Sequence, residues 1–176
     1  MIRYVAFLRG INVGGHNLIK MDVLKSHFEL PGIANIATYI QSGNVLFDSE
    51  ETNEGILAAT IDKQLTAKLG YKVPIVLRGT KELKSVIKNN PFDDIKPEDT
   101  VKLYVTFLSA VPLLAVRGSL AVYATDTEDA RLIKREVYIC TDNYSKTRLN
   151  NTLIEKKLGV TATTRNWATV NKLVEL

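Results

Sequence analysis

The sequence has little of the chemistry that disulfides, metal sites and histidine-dependent enzymes need. It contains one cysteine, Cys140, so no disulfide can form within the chain, and the strand-like run 137–140 predicts a buried thiol. The two histidines, His16 and His27, belong to no cluster with metal-ligand spacing. No Ser-His-Asp or Cys-His arrangement stands out either. We therefore expect no metal site.

Long apolar runs are also missing, because no stretch approaches the ~20 residues that span a bilayer. Residues 1–4 lack the features of a signal peptide. Hydrophobic residues make up 45% of the 176 residues and charged residues 24%, which is typical of a globular protein with a packed core. No membrane partner is expected, and the cytoplasm is the predicted location.

Positive charge is concentrated towards the end of the sequence. The net charge is +4, yet residues 1–130 carry 14 basic and 15 acidic side chains, whereas residues 131–176 carry 9 and 4. Such an excess favours an anionic partner such as a phosphorylated metabolite, RNA or DNA. The alternative is a solvated basic surface that only favours solubility.

Residues 1–90 follow the order strand, helix, strand, strand, helix, strand. Hydrophobic periodicity predicts the strands at 3–9, 36–41, 45–47 and 73–77, and the helices at 21–30 and 53–69. Gly70 suits a helix C-cap, and Pro74, which lacks an N–H, indicates that the last strand either lies at a sheet edge or begins at that residue. The order βαββαβ is that of a ferredoxin-like, or α/β plait, domain with an antiparallel sheet. A connecting helix at 81–89 completes this first domain.

Residues 91–100 contain two prolines and acidic side chains, and we predict that they form a linker. The same element order follows in residues 101–176, with strands at 101–107, 131–133, 136–140 and 160–162 and helices at 112–120, 149–158 and 167–175. The prediction is an α+β chain of two ferredoxin-like domains. The halves share this pattern, and no repeat of the sequence itself is apparent.

Four motifs resemble a bacterial family of unknown function, DUF1697. They are Tyr4–Gly15, Thr38–Val45, Tyr144–Lys146 and Thr163–Val170. The resemblance implies two α/β plait domains and no established activity. His16 departs from the family pattern, where a lysine is expected, and residues 81–130 match no motif of the family.

The loop of residues 9–20 is the first candidate site. Arg9 can bind an oxyanion through two hydrogen bonds, and Lys20 adds a second positive charge. Asn12 lies in the same loop, and Gly14 and Gly15 allow a close approach of the backbone to a ligand. Neither the phosphate-loop nor the dinucleotide-binding spacing is present. The alternative is a loop whose glycines only set its shape.

Two further segments carry candidate binding residues, each with a structural alternative. The turn at 41–44 contains Ser42 and Asn44, although Ser-Gly-Asn turns are common for conformational reasons. The C-terminal candidates are Ser145, Lys146, Arg165 and Asn166. Arg165 and the following helix can hold a phosphate while Trp167 stacks on a ring, or Asn166 only caps the helix and Trp167 packs in the core. Adjacent side chains diverge, so Ser145 and Lys146 suit an anion-binding loop with Arg148 better than a nucleophile and its base.

These observations favour a protein that binds an anionic, phosphate-containing small molecule through the loop of residues 9–20 and the C-terminal motif. Three alternatives stay open: a nucleic-acid binding protein, an enzyme acting on a phosphorylated metabolite with His16 over the ligand, and a dimeric interaction module. The nucleic-acid alternative uses aromatic side chains on the two sheets, namely Tyr4, Phe7, Tyr39, Phe47, Tyr104, Phe107 and Tyr138. No particular cofactor, reaction or oligomeric state is indicated.

Overall fold

The computed structural model describes residues 1–96 and 99–176, and within them the chain forms two four-stranded antiparallel sheets and five α-helices. The predicted α+β class is therefore confirmed. The chain divides into two compact units, Met1–Leu83 together with Leu176, and Lys84–Glu175. The predicted linker includes Pro97 and Glu98, which lie outside the described residues.

The first unit contains a sheet with the strand order β2-β3-β1-β4. Its strands are β1 (Ile2–Leu8), β2 (Ile33–Tyr39), β3 (Asn44–Ser49) and β4 (Ile75–Gly79), and its helices are α1 (Met21–Ser26) and α2 (Glu54–Leu69). The helices bury Leu24, Leu57, Ile61 and Leu65 in one hydrophobic core with the strands. As predicted, Gly70 ends α2 and β4 lies at a sheet edge after Pro74.

Helix α3 (Thr80–Lys88) follows β4, and the boundary between the two units falls within it, after Leu83. Helix α1 ends at Ser26, four residues earlier than predicted, and β2 begins at Ile33, three residues earlier than predicted. The backbone N–H of Ile33 donates to the carbonyl of Leu30 in the intervening turn.

The second unit contains a sheet with the order β6-β7-β5-β8. Its strands are β5 (Lys102–Leu108), β6 (Glu128–Ile133), β7 (Glu136–Thr141) and β8 (Ala162–Asn166), and its helices are α4 (Asn151–Leu158) and α5 (Trp167–Glu175). The predicted hairpin turn at Lys134–Arg135 joins β6 to β7. Ile154 and Leu158 of α4 pack with Val137 and Ile139 in the core of this unit.

The helix predicted at 112–120 is wrong. Two short 3₁₀ turns, Leu114–Val116 and Ala121–Tyr123, occupy this connection instead. Its hydrophobic residues do not form one helical stripe, because Leu120 is buried while Leu113 and Leu114 are about four-fifths exposed. Gly118 further disfavours a continuous helix.

The last strand was predicted at 160–162, but β8 begins at Ala162 and runs to Asn166. The polar residues Thr163, Thr164 and Arg165 obscured it in the sequence. Threonine is β-branched and favours strands, and here Thr163 and Arg165 are buried despite their polarity.

The two sheets have the same strand register, which shows a short repeat that the sequence analysis missed. Tyr4 pairs with Phe47 and Gly79, as Tyr104 pairs with Ile139 and Asn166. Tyr-Val-X-Phe-Leu occurs at 4–8 and at 104–108, and Lys-Leu-Gly ends α2 and α4. A buried arginine also occupies the same place in each sheet, Arg78 opposite Val5 and Arg165 opposite Val105.

Candidate functional site

The two glycines of the loop at 9–20 form a tight turn. The His16 N–H donates to the Val13 carbonyl at 3.0 Å, and Gly14 and Gly15 have φ angles of 58° and 79°. Positive φ at both central residues defines a type I′ turn, which glycine adopts without strain. All residues from Val13 to Leu18 are exposed, so this turn projects from the unit.

Asn12 joins this loop to the turn between β2 and β3. Its Oδ1 accepts from the Ile19 N–H at 2.8 Å, and its Nδ2 donates to the carbonyls of Ile19 at 3.0 Å and Gln41 at 2.9 Å. The Leu8 N–H donates to the Gly43 carbonyl at 2.8 Å. The structure therefore brings the first two predicted sites together.

The polar side chains of the β2–β3 turn bind the turn itself. Asn44 is fully buried, and its Nδ2 donates to the Tyr39 carbonyl at 3.1 Å and to the Ser42 Oγ at 3.0 Å. The side chains of Asn12 and Asn44 therefore hold the two loops in place.

Arg9 is half-buried beside Pro74, whose carbonyl accepts from the Arg9 N–H at 2.9 Å, and Lys20 is exposed just before α1.

Arg165 is buried and forms hydrogen bonds within its own strand, β8. Its Nη1 donates to the Thr163 Oγ1 at 3.0 Å and to the Thr164 carbonyl at 2.8 Å, and only 8% of the residue is exposed. Burial lowers the pKa of Arg165 to about 10, an effect that the nearby Tyr144 opposes, so the side chain stays protonated at neutral pH. Both of these hydrogen bonds are made within β8.

Ser145 and Lys146 lie in an exposed turn. The Ser145 hydroxyl and N–H both donate to the Asn143 Oδ1, at 2.7 Å and 3.1 Å, and the Lys146 N–H donates to the Asn143 carbonyl at 3.1 Å. The serine hydroxyl is therefore engaged with Asn143, an amide that cannot act as a general base.

Asn166 caps helix α5 as predicted, because its Oδ1 accepts from the Thr169 N–H at 2.8 Å. The following Trp167 is only half-buried, so its indole does not belong to the fully buried core. Both residues line a cleft of about 590 Å³ within the second unit. The other residues that line the cleft are Ile95, Lys96, Lys102, Leu103, Tyr104, Ala168 and Asn171.

This cleft carries two cations, Lys96 and Lys102, and none of the described residues that line it is acidic. The ring of Tyr104 is held by stacking on Tyr144, with 4.3 Å between the centroids. Sequence reasoning found Asn166 and Trp167 through the helix start, but it missed both lysines. Lys96 lies in the expected linker and Lys102 opens a strand, so neither has a local signal.

A second cleft of about 430 Å³ in the same unit has the opposite charge. Asp94, Asp99, Asp126, Glu128 and Asp129 line it, together with Arg131 and Cys140 among others. Burial raises the pKa of the Cys140 thiol, which agrees with the predicted buried cysteine. Among the described residues, no group of His, Cys, Asp and Glu side chains is arranged to hold a metal ion.

The sheets offer few of the aromatic side chains that nucleic-acid binding requires. Tyr39 and Tyr104 are partly exposed, whereas five of the seven candidates are at most 4% exposed: Tyr4, Phe7, Phe47, Phe107 and Tyr138. Tyr138 in addition donates its hydroxyl to the Val86 carbonyl at 2.8 Å. Stacking on bases needs an accessible ring face, which these five residues lack.

The fold has a counterpart among solved structures, the conserved bacterial protein SP0830 from Streptococcus pneumoniae. The two share 23% sequence identity with a TM-score of 0.75, over 99% of this chain and 97% of that chain. At this identity the likeness shows the fold alone.

None of the helices in residues 1–96 and 99–176 has the length and apolar character to cross a lipid bilayer.

The family comparison matches residues 1–138 to the protein family of unknown function DUF1697, and the chain belongs to this family. The resemblance of the first two motifs is thus confirmed. The motifs at 144–146 and 163–170 lie beyond the matched residues. Comparison with curated proteins found no match.

Proposed function

We propose that this protein binds a small anionic, phosphate-containing ligand in the cleft beside Trp167. The observation that carries the proposal is the charge of the cleft, which contains Lys96 and Lys102 and no acidic residue among its described lining. The start of α5 lies at the same cleft, where the helix dipole favours negative charge. A volume of about 590 Å³ suits a small molecule.

The cleft beside Trp167 is a different site from the loop at 9–20. That loop has a conformational reason for its two glycines, and α1 after it has only six residues. Of the predicted binding residues, Asn166 lies in the cleft, and Arg165 supports the strand that leads to it. The ligand therefore meets the C-terminal motif.

Trp167 is the one tryptophan of the chain, so its fluorescence reports directly on the cleft. We expect pyrophosphate to change this emission in a saturable way. The double variant Lys96→Gln, Lys102→Gln loses two positive charges from the cleft and should bind about tenfold or more weakly, since charge-assisted contacts are among the strongest hydrogen bonds.

The control is the variant Lys25→Gln, which removes an exposed lysine from α1 in the first unit. It should bind pyrophosphate like the wild type. An unchanged emission of the wild type, or an equal loss of affinity in the control and the double variant, would contradict the proposal.

We also propose that each sheet with its helices is a ferredoxin-like domain, with 1–90 and 101–176 as the domains and 91–100 as the linker. The support is the strand order, in which the first strand of each sheet lies between the third and the fourth.

A cytoplasmic location is part of the proposal, because a lone buried thiol suits a reducing compartment.

A further inference from the structure

The cleft beside Trp167 is lined by apolar as well as charged side chains. The indole of Trp167 is half-buried, and Ile95, Leu103 and Ala168 line the same space. Aromatic and aliphatic walls bind a planar ring by stacking and by exclusion of water. An inorganic anion alone would leave these walls in contact with water.

Tyr104 is held in position, because its ring stacks on Tyr144 with an angle of 26° between the rings. A rigid wall loses little conformational entropy when a ligand binds. The cleft is thus preorganised for a flat group.

Two asparagine side chains of the cleft each have one hydrogen-bonding group that no described residue contacts, a donor on Asn166 and an acceptor on Asn171. The Asn166 Oδ1 accepts from the Thr169 N–H, and its amino group has no partner among the described residues. The Asn171 amino group is engaged with Trp167, and its carbonyl oxygen has no partner there. One donor and one acceptor match the edge of a heteroaromatic ring that carries a ring nitrogen and an amino group.

We propose that the ligand is a nucleotide, whose base contacts Trp167, Asn166 and Asn171 and whose phosphate contacts Lys96 and Lys102. This inference rests on the proposed anion-binding function of the same cleft. The base supplies a π-face for the indole, and base–aromatic stacking strengthens binding about tenfold or more.

The test compares two ligands with the same phosphate, adenosine 5′-monophosphate and ribose 5-phosphate, by calorimetric titration of the full chain. We expect the nucleotide to bind at least about tenfold more tightly, because only it can stack. In Trp167→Leu this advantage should fall to about twofold or less while ribose 5-phosphate binds as before, and Trp167→Phe should keep part of it.

Three results would overturn the nucleotide inference. Equal affinity of the wild type for the two ligands overturns the nucleotide inference and leaves the anion site in place. An equal loss for both ligands in Trp167→Leu also overturns it, because the indole would then only support the fold. If neither ligand binds, and pyrophosphate does not bind, the anion site and the nucleotide inference both fail.

Discussion

Arg78 is the largest fully buried side chain among the described residues, and it carries a charge. Its Nη1 donates to the Leu77 carbonyl at 2.7 Å, its Nε lies 3.5 Å from the Glu82 Oε1, and its Nη1 lies 4.0 Å from the Glu54 Oε1. A buried charge is costly unless it is paired. The two carboxylates therefore hold β4, α2 and α3 to one cation.

We predict that the double variant Glu54→Gln, Glu82→Gln lowers the free energy of unfolding by about 3–5 kcal/mol, because it removes two carboxylates that lie beside the buried guanidinium of Arg78. Urea denaturation followed by circular dichroism measures this change. Asp62→Asn is the control, since Asp62 lies 3.9 Å from the exposed Lys72 and such pairs contribute at most about 1 kcal/mol. A double variant as stable as this control would show that Arg78 does not depend on its carboxylates.

At the scale of elements, the β2–β3 turn depends on Gly43. Its φ is +74°, and a Cβ atom there would lie 3.0 Å from the Leu8 Cβ and 3.3 Å from the Ile11 Cβ. The turn therefore packs directly on the end of β1, and a Cβ atom at residue 43 would force its neighbours to move.

We predict that Gly43→Ala destabilises the protein by about 2–4 kcal/mol, through the left-handed backbone and the overpacked contact with Leu8. Gly118→Ala is the matched control, because a Cβ there meets nothing within 4 Å and its φ lies outside the left-handed region. The control should be neutral or slightly stabilising in urea denaturation. Similar losses in both variants would contradict the packing argument.

The sequence predicted those elements whose signals are local. β1 has a continuous apolar run, and α2 has Leu57, Ile61 and Leu65 on one face. The errors at 112–120 and in β8 have a different cause. There the burial of Thr163 and Arg165 and the exposure of Leu113 depend on tertiary packing, which overrides local polarity.

At the scale of the whole molecule, we expect Glu128 to make stability depend on pH. Burial raises the pKa of this carboxyl above its ordinary 4.5, an effect that Asp142 adds to and that the Leu149 N–H and Arg148 oppose. One oxygen of Glu128 is buried without a hydrogen-bond partner among the described residues. The folded state therefore holds the proton more tightly than the unfolded state, and stability falls as pH rises from the unfolded pKa through the folded one.

We predict that Glu128→Gln melts at a higher temperature than the wild type at neutral pH, and that the difference disappears below the unfolded pKa, where both side chains are neutral. Thermal melts over a pH series measure it. The exposed Glu29, replaced by Gln, serves as the control and should show no such pH-dependent gain. A gain that persists at acidic pH would point to packing rather than ionisation.

The candidate site could be predicted only in part. Asn166 and Trp167 were found because a cap and an aromatic residue at a helix start are local signals. The cleft itself was not predicted, since Asn171 and Trp167 are distant in sequence from Lys96 and Lys102 and meet them only in the folded unit. In the loop at 9–20, Gly14 and Gly15 were predicted to allow a ligand to approach the backbone. The positive φ angles of the hairpin turn already account for a glycine at both positions.

The shared register of the two sheets has a consequence for the history of the chain. Tyr4 and Tyr104, like Arg78 and Arg165, hold corresponding places, as expected if one ancestral gene was duplicated and its copies fused. Each half is then a relative of the other, and their differences mark where they diverged. The connection after the first strand is one such difference, because it contains a glycine hairpin and helix α1 in the first half and two 3₁₀ turns in the second.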